Sequence, residues 1–347
     1  MEALLISVLA AGALLAILSG LMNGSFTLPM RFLGRWDWEH VWSLFIVVSC
    51  LIMPAAILAI DAPQSWAILA TAPAPALMIA AVTGLVWGFG SLMFGQSVSA
   101  IGISLANTLV LAISSALGSL LPLLLLAHGR LFEPTGIKIL AGVGVQVVGI
   151  LFCGSAGRLR EQAAGPGGER GNLVGKARPL GVALMLAVGS GVLSAVFNIG
   201  FAMAAPIAEH GRAAGLGSFD ATNLIWWVML GAGSVANLLF CAFLFAKNHN
   251  FGKFFQPGGV RLYSLTTLMA LLWGGSIFVY GAAAPRLGSL GTAIGWPLSL
   301  ATGLLLANMI GIGLGEWRNA PRRALGKMYV GIGVLLVAIV ILSRAGQ

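Results

Sequence analysis

Charge is scarce in this chain. Only 8% of its 347 residues are Asp, Glu, Lys or Arg, while 59% are hydrophobic and the mean hydropathy is +0.97. A soluble domain carries about 25% charged residues. The shortage of charge therefore excludes an ordinary soluble protein, and it predicts a membrane protein that crosses the bilayer many times.

Cysteine is also rare, and its placement excludes two further classes. The three cysteines, Cys50, Cys153 and Cys241, fall in three different apolar segments without Cys-x-x-Cys spacing. An odd number of cysteines argues against a disulfide framework, and the lack of Cys-x-x-Cys spacing argues against a zinc site. We interpret the three thiols as small packing residues.

Ionisable side chains are missing from the middle of the predicted spans, and all four histidines lie at span ends or in loops. A metal centre or a Ser–His pair at membrane depth would need such groups. We therefore expect no catalytic residue, no metal and no cofactor, and we do not expect an enzyme. The same shortage disfavours a charged substrate held by a salt bridge, because ionisable groups inside the membrane mark ion paths.

Long apolar runs fill most of the chain. A spanning helix needs about 20 apolar residues, and continuous runs predict an all-α protein rather than a barrel of alternating strands. Ten spans are predicted, at residues 3–29, 38–60, 76–98, 103–127, 135–155, 179–206, 222–246, 262–284, 289–313 and 325–343.

The spans form two sets of five. Leu-x-Trp-Gly at residues 85–88 recurs at 271–274, and Ser19 and Gly20 recur as Ser190 and Gly191. Because five is odd, the second copy enters the membrane from the opposite side, which gives two inverted five-helix repeats. We divide the chain into an N-terminal repeat (1–157), a Gly-rich linker loop (158–178) and a C-terminal repeat (179–347). Two inverted repeats that rock about a central site are the usual design of a secondary transporter.

The net charge of +9 is a topology signal. Fourteen of the 19 Lys and Arg residues lie in the loops that join spans 1–2, 3–4, 5–6, 7–8 and 9–10. Cytoplasmic loops collect Lys and Arg. We therefore expect a multi-pass protein of a bacterial inner membrane, with the linker in the cytoplasm and both termini in the periplasm. The charge does not indicate a nucleic-acid partner.

Neutral polar and aromatic groups remain at membrane depth, and they suit a small neutral sugar. Amides and hydroxyls hydrogen-bond to sugar hydroxyls, indole rings stack on C–H faces, and a buried amide without a partner costs a few kcal/mol. A hydrogen bond between helices is the open alternative for each Asn, and simple packing is the alternative for each Trp. Trp296 also precedes Pro297, which kinks or breaks a helix. The predicted substrate-binding residues are Asn23, Trp87, Asn107, Asn198, Trp226, Trp273, Tyr280, Thr292 and Trp296.

Several segments resemble one known family. Residues 31–54 contain Trp-x-Trp-Glu-x-x-Trp-Ser at 36–43, residues 87–90 read Trp-Gly-Phe-Gly, and residues 102–104 read Gly-Ile-Ser. Residues 316–320 read Glu-Trp-Arg-Asn-Ala. Together they resemble the bacterial L-rhamnose–proton symporter family of the drug/metabolite transporter superfamily, over nearly the whole chain. The resemblance implies ten helices in two inverted repeats and proton-driven uptake of L-rhamnose.

One position departs from the family pattern. The resemblance implies an acidic residue four positions before Trp296, and Thr292 stands there. Because neutral Thr292 holds no proton at physiological pH, we expect proton coupling to be weak or absent. The candidates left for holding a proton are the carboxylates near span ends, Asp37, Glu39, Glu209, Asp220 and Glu316. For Glu39 and Glu316, a salt bridge with a nearby Arg is the expected role. A metabolite or drug exporter and an uncoupled sugar facilitator stay open as alternatives.

Overall fold

The secondary structure is helical throughout the described chain. The computed structural model describes residues 2–34, 36–101, 103–164, 179–256 and 259–345, and within these residues it contains no strand. The helices are Glu2–Ser25 (α1), Trp38–Ile46 (α2), Met53–Asp61 (α3), Ser65–Ala70 (α4), Ala74–Ile101 (α5), Ile103–Leu126 (α6), Pro134–Ala164 (α7), Leu180–Met203 (α8), Ala205–Ala213 (α9), Ser218–Asn248 (α10), Gly259–Arg286 (α11), Gly291–Gly313 (α12) and Arg322–Ser343 (α13).

Ten segments of the described residues are long and apolar enough to cross a membrane, which confirms the predicted all-α, ten-span architecture. Each overlaps one predicted span. The segments are Ser7–Ser25, Trp38–Asp61, Ala74–Val98, Leu105–Leu126, Pro134–Ala163, Leu180–Ala213, Ser218–Asn248, Gly259–Arg286, Gly288–Gly313 and Arg322–Ser343.

The second span is not a regular α-helix. Between α2 and α3 the chain forms a π-helical segment, Val47–Ile52, and Pro54 lies in the first turn of the next helix. Proline has no N–H for the preceding turn, and wider π turns are one way to accommodate that gap. The Ser49 hydroxyl donates to the Phe45 carbonyl at 2.6 Å within this segment. The hydrophobic pattern alone gave no sign of the π segment.

The predicted linker begins as helix. Residues 158–164 form the last turns of α7, so Arg158 and Arg160 extend that helix beyond its apolar part. The rest of the predicted linker, residues 165–178, lies outside the described residues.

The first compact unit comprises Met1–Gly24, Gly90–Ile199 and Ala283–Gln347. Helices α7 and α13 pack extensively against each other within it. These two helices run antiparallel, since a Cβ at Gly142 would meet Leu342 and a Cβ at Gly331 would meet Cys153. Small residues at such contacts let membrane helices approach closely. Large apolar side chains such as Met185 remain exposed, as expected on a surface that faces lipid.

The second compact unit comprises Ser25–Phe89 and Gly200–Ala282. Helix α10 packs against α2, α3 and α9 within it. Gly84 and Gly88 of α5 lie directly against the backbone of Met229 and Gly233 of α10, and an added Cβ would overlap those carbonyl oxygens. The two backbones are therefore in contact without an intervening side chain.

Two glycines that the predicted repeat relates to each other make corresponding contacts inside the first unit. In the first unit, Gly20 of α1 packs on Ser299 of α12, and its repeat mate Gly191 of α8 packs on Ile113 of α6. These contacts pair span 1 with span 9 and span 6 with span 4. Exchange of the two predicted repeats converts one pair into the other. Each compact unit thus draws on both halves of the sequence.

Candidate functional site

Asn198 is a buried amide of the first unit that binds two other helices. Its side chain is fully buried on α8, and Nδ2 donates to the Gly118 carbonyl at 2.8 Å and to the Thr292 carbonyl at 3.3 Å. The amide therefore links α8 to α6 and α12. This is the hydrogen bond between helices that the sequence left open as an alternative for each Asn.

Trp296 lies in the same unit and belongs to a short chain of polar groups. Its indole Nε1 donates to the Ser114 hydroxyl at 3.2 Å, and Ser114 donates to the Ser194 hydroxyl at 3.0 Å. Gly118 lies under the indole, where a Cβ would collide with the ring. The Ser194 side chain is half-buried, so this end of the chain of hydroxyls is the accessible one.

The remaining predicted residues of the first unit are less enclosed. Thr292 is half-buried at the start of α12, where its carbonyl accepts from Asn198. Asn23 on α1 and Asn107 on α6 are also half-buried. The structure thus brings Asn198, Thr292 and Trp296 together around the start of α12.

In the second unit, Trp87 and Trp273 stack on each other. Their ring centroids are 5.4 Å apart and the planes differ by 14°. Phe45 lies against Trp273 at 5.4 Å between centroids. Both indoles are half-buried. The sequence identified these two tryptophans as repeat mates, and they form one continuous aromatic surface.

Trp226 and Tyr280 form a second aromatic group in this unit. The Trp226 ring is parallel to Phe201 at 4.2 Å, and Tyr280 lies 5.7 Å from Phe201. Both predicted residues are at most 1% exposed. Gly281 provides the space for the Trp226 indole, since a Cβ there would collide with Nε1. In this conformation the packing of the unit encloses both rings.

Two serines that were not predicted, Ser114 and Ser194, extend the polar group around Trp296, and the Gly118 carbonyl accepts from Asn198. Ser114 and Gly118 are four residues apart on α6, and Ser194 and Asn198 are four apart on α8. Residues at this spacing share one helix face. This spacing was the signal in the sequence that each pair lies on one face of its helix.

Asn237 is an amide of the second unit that was not among the predicted site residues. Its Oδ1 accepts from Trp42 Nε1 at 2.9 Å, and Nδ2 donates to the Gly88 carbonyl at 3.3 Å. The side chain is fully buried. These two hydrogen bonds go to neighbouring helices, so the side chain contributes to helix packing.

The carboxylates near the span ends differ in their partners. Glu316 forms a salt bridge with Arg160, with Oε2 3.0 Å from Nη1, and the guanidinium also lies 5.0 Å from the centre of the Trp317 ring. The expected Arg partner is thus present for Glu316. Glu39 instead accepts hydrogen bonds from two asparagines, and no ion pair with it is found among the described residues.

Comparison with known proteins decides the family. The chain matches the family of the L-rhamnose-proton symport protein over residues 6–346. It belongs to the L-rhamnose-proton symport family. This agrees with the resemblance found in the residue motifs.

Its relatives share more than a quarter of their residues with it over nearly their full length. An L-rhamnose-proton symporter of Cronobacter sakazakii is 29% identical over 94% of this chain and 95% of the relative. The corresponding symporter of Enterobacter sp. is 29% identical over 90% and 91%. That of Escherichia coli is 28% identical over the same shares. These relatives are named as symporters and not as enzymes.

A solved crystal structure supports the architecture. It superposes with a TM-score of 0.57 at 16% identity and covers 96% of this chain and 97% of its own. At this identity the likeness concerns the fold alone.

Proposed function

We propose that this chain imports L-rhamnose together with protons across a bacterial inner membrane. The observation that carries the proposal is the family match over residues 6–346. Relatives that match along nearly their whole length are named L-rhamnose-proton symporters. The ten apolar spans and the absence of charge from their centres fit a carrier of a neutral solute.

The sugar is recognised by neutral groups. L-Rhamnose is a deoxy sugar, so it presents hydroxyls on most of its ring and one methyl group. Trp87 and Trp273 supply an aromatic surface for its C–H groups, and indole faces suit such contacts. Asn198 supplies an amide. Trp296 is hydrogen-bonded to Ser114, which is hydrogen-bonded to Ser194, and these two serines supply hydroxyls. The other residues proposed to bind sugar are Asn23, Asn107 and Thr292 in the first unit and Trp226 and Tyr280 in the second.

Transport proceeds by alternating access. Each state exposes the sugar groups to one side of the membrane only, as in other carriers built from two repeats. The paired contacts of Gly20 and Gly191 support the repeat relation on which this mechanism depends. Since a carrier that changes state must break some contacts, fully buried rings such as Trp226 and Tyr280 become accessible only in another state.

The orientation in the membrane is part of the proposal. The Lys and Arg excess places the linker in the cytoplasm and both termini in the periplasm. Alkaline phosphatase is active only in the periplasm, so a fusion at the C-terminus should be active and a fusion within residues 165–178 inactive. The reverse pattern would contradict the orientation.

Uptake into proteoliposomes tests the function. Labelled L-rhamnose should accumulate when the outside is more acidic, and an uncoupler should abolish the accumulation. A pH difference of one unit supports at most about tenfold accumulation for one proton per sugar. Equilibration without accumulation would instead indicate an uncoupled sugar facilitator, the alternative suggested by Thr292 at the position where the resemblance implies an acidic residue. No sugar flux in either direction would favour the exporter of another metabolite.

A further inference from the structure

Glu39 is a buried carboxyl group at the start of the second span. It lies in the first turn of α2 and is 0% exposed. The other acidic side chains that the structure describes are half-buried or exposed. Burial of a carboxylate costs several kcal/mol unless the charge is paired, so its surroundings require an explanation.

The hydrogen bonds of Glu39 are one-sided. Oε1 accepts from the side-chain amides of Asn248 and Asn250, both at 2.7 Å. Oε2 is buried without a hydrogen-bond partner in the described structure. By contrast, Asp37 is paired with Lys253 at 2.7 Å. A proton on Oε2 would neutralise the buried charge and leave both amide hydrogen bonds intact.

His40 presents a second unoccupied proton position beside the first. Its ring is fully buried, and Nε2 lies 3.0 Å from the Asn250 carbonyl. A carbonyl only accepts, so Nε2 carries a hydrogen. In the tautomer with its hydrogen on Nε2 alone, Nδ1 is the ring nitrogen that can accept a proton. Nδ1 has no hydrogen-bond partner in the described chain and lies 4.0 Å from Asp37 Oδ2. Polar atoms of Asp37, Glu39 and His40 lie within 4.8 Å of one another.

Other titratable groups face this pair from neighbouring elements. Lys253 comes from the 3₁₀ turn Phe251–Phe255, and its ammonium is bound to Asp37. The Cys241 thiol of α10 lies within electrostatic range of Glu39. Because Lys253 already holds the Asp37 carboxylate, the cluster is better arranged for a proton than for a metal ion.

An open cavity lies at the edge of the cluster. A cavity of about 560 Å³ is lined by Asp37, Asn250 and Lys253 together with neighbouring residues. Asn250 touches both the cavity and Glu39 Oε1. The buried carboxyl is thus one side chain away from solvent, on the side that the Lys and Arg distribution predicts to be cytoplasmic.

We propose that the Glu39 carboxyl carries the co-transported proton, with the bare His40 nitrogen as the adjacent acceptor on the path to the cavity. The inference rests on the proposed symport. The proton occupies Oε2 while the sugar is carried, and the O–H bond breaks as the proton passes to His40 Nδ1 or to cavity water. The carboxylate then stays hydrogen-bonded to Asn248 and Asn250 until the next proton binds.

Glu39→Gln in proteoliposomes tests the assignment, because glutamine keeps the size and hydrogen bonds but holds no exchangeable carboxyl proton. Under a pH difference of one unit, wild type should accumulate L-rhamnose up to about tenfold. Glu39→Gln should fall to equal concentrations inside and outside, while exchange of labelled for unlabelled sugar persists. Glu316→Gln removes a carboxylate paired with Arg160 and is the matched control. It should accumulate as wild type does.

Each outcome separates this inference from the proposed function. Accumulation by Glu39→Gln equal to wild type overturns the role of Glu39 and leaves the symport intact. Accumulation by wild type under a sodium gradient, with none under a pH gradient, overturns the proton site. Failure of wild type to transport L-rhamnose overturns the proposed function itself, and the inference with it.

A measurement on the wild-type protein guards against a variant that does not fold. Carbodiimides react with protonated carboxyls in apolar surroundings, and mass spectrometry locates the adduct. Glu39 should be labelled, and labelling should fall as the pH rises. Absence of an adduct at Glu39 at every pH, with other carboxyls labelled, would overturn the assignment.

Discussion

Replacement of Asn198 by alanine separates packing from sugar binding. The change removes two hydrogen bonds that join α8 to the Gly118 and Thr292 carbonyls. Hydrogen bonds between membrane helices contribute about 0.6 kcal/mol on average, and neutral ones in general about 0.5–1.5 kcal/mol. We therefore expect a loss of about 1–3 kcal/mol in stability. If the amide also binds sugar, the Kd for L-rhamnose should rise about 2- to 12-fold, since that is one further hydrogen bond.

The assay uses the buried thiols of the protein. Cys50, Cys153 and Cys241 are free and buried, so a thiol-reactive fluorophore reports unfolding in detergent as they become exposed. The Kd is measured by titration calorimetry. The matched control is Asn237→Ala, which loses comparable buried hydrogen bonds outside the proposed site. It should lose stability without a change in Kd. An Asn198→Ala protein whose Kd rises no more than that of the control would show that Asn198 only joins helices.

Three further predictions concern packing and charge. Gly84→Ala should destabilise the protein and slow transport, because the added Cβ meets the backbone of α10, whereas Gly144→Ala has open space and should be neutral in the same unfolding assay. Arg160→Ala should cost more stability than Glu316→Gln, by about 0.5–1 kcal/mol, because it also removes the contact with the Trp317 ring. Partial burial disfavours the charge of Asp37, but hydrogen bonds from Lys253 and Asn250 outweigh it and lower the pKa of Asp37. Charged Asp37 then adds stability above its unfolded pKa of about 3.9, which is lost as the pH falls through the folded value. Asp37→Asn should cost under about 1 kcal/mol at pH 7, and this difference should vanish on acidification.

The ten spans were predictable because length and hydropathy determine what crosses a bilayer. Every predicted span corresponds to a helical segment of the described chain. The contacts between spans were harder to predict from the sequence. A 3.6-residue pattern identifies the buried face of a helix but not the helix that packs against it. Ser114 and Ser194 are an example. Each spacing was visible in the sequence, but the hydrogen bond between the two hydroxyls depends on how α6 and α8 pack.

The site was partly predictable for the same reason. Repeat symmetry identified Trp87 and Trp273 as mates, and they stack in the structure. Composition identified Trp226 and Tyr280 only as aromatic groups at depth, and did not indicate that Phe201 would enclose them. The hydrogen bonds of Glu39 were not predictable, because Asn248 and Asn250 lie more than 200 residues further along the chain. Both partners are amides, and the expected arginine is not found beside Glu39 among the described residues.

Proton movement caused by the sugar is the direct test of coupled transport. Proteoliposomes with a pH-sensitive dye inside and no initial gradient are given L-rhamnose, with the membrane potential clamped at zero. If transport is coupled to protons, the interior should acidify as L-rhamnose enters, in proportion to the amount taken up. A sugar that the protein does not transport should leave the internal pH unchanged. Entry of labelled L-rhamnose without acidification would contradict coupled transport.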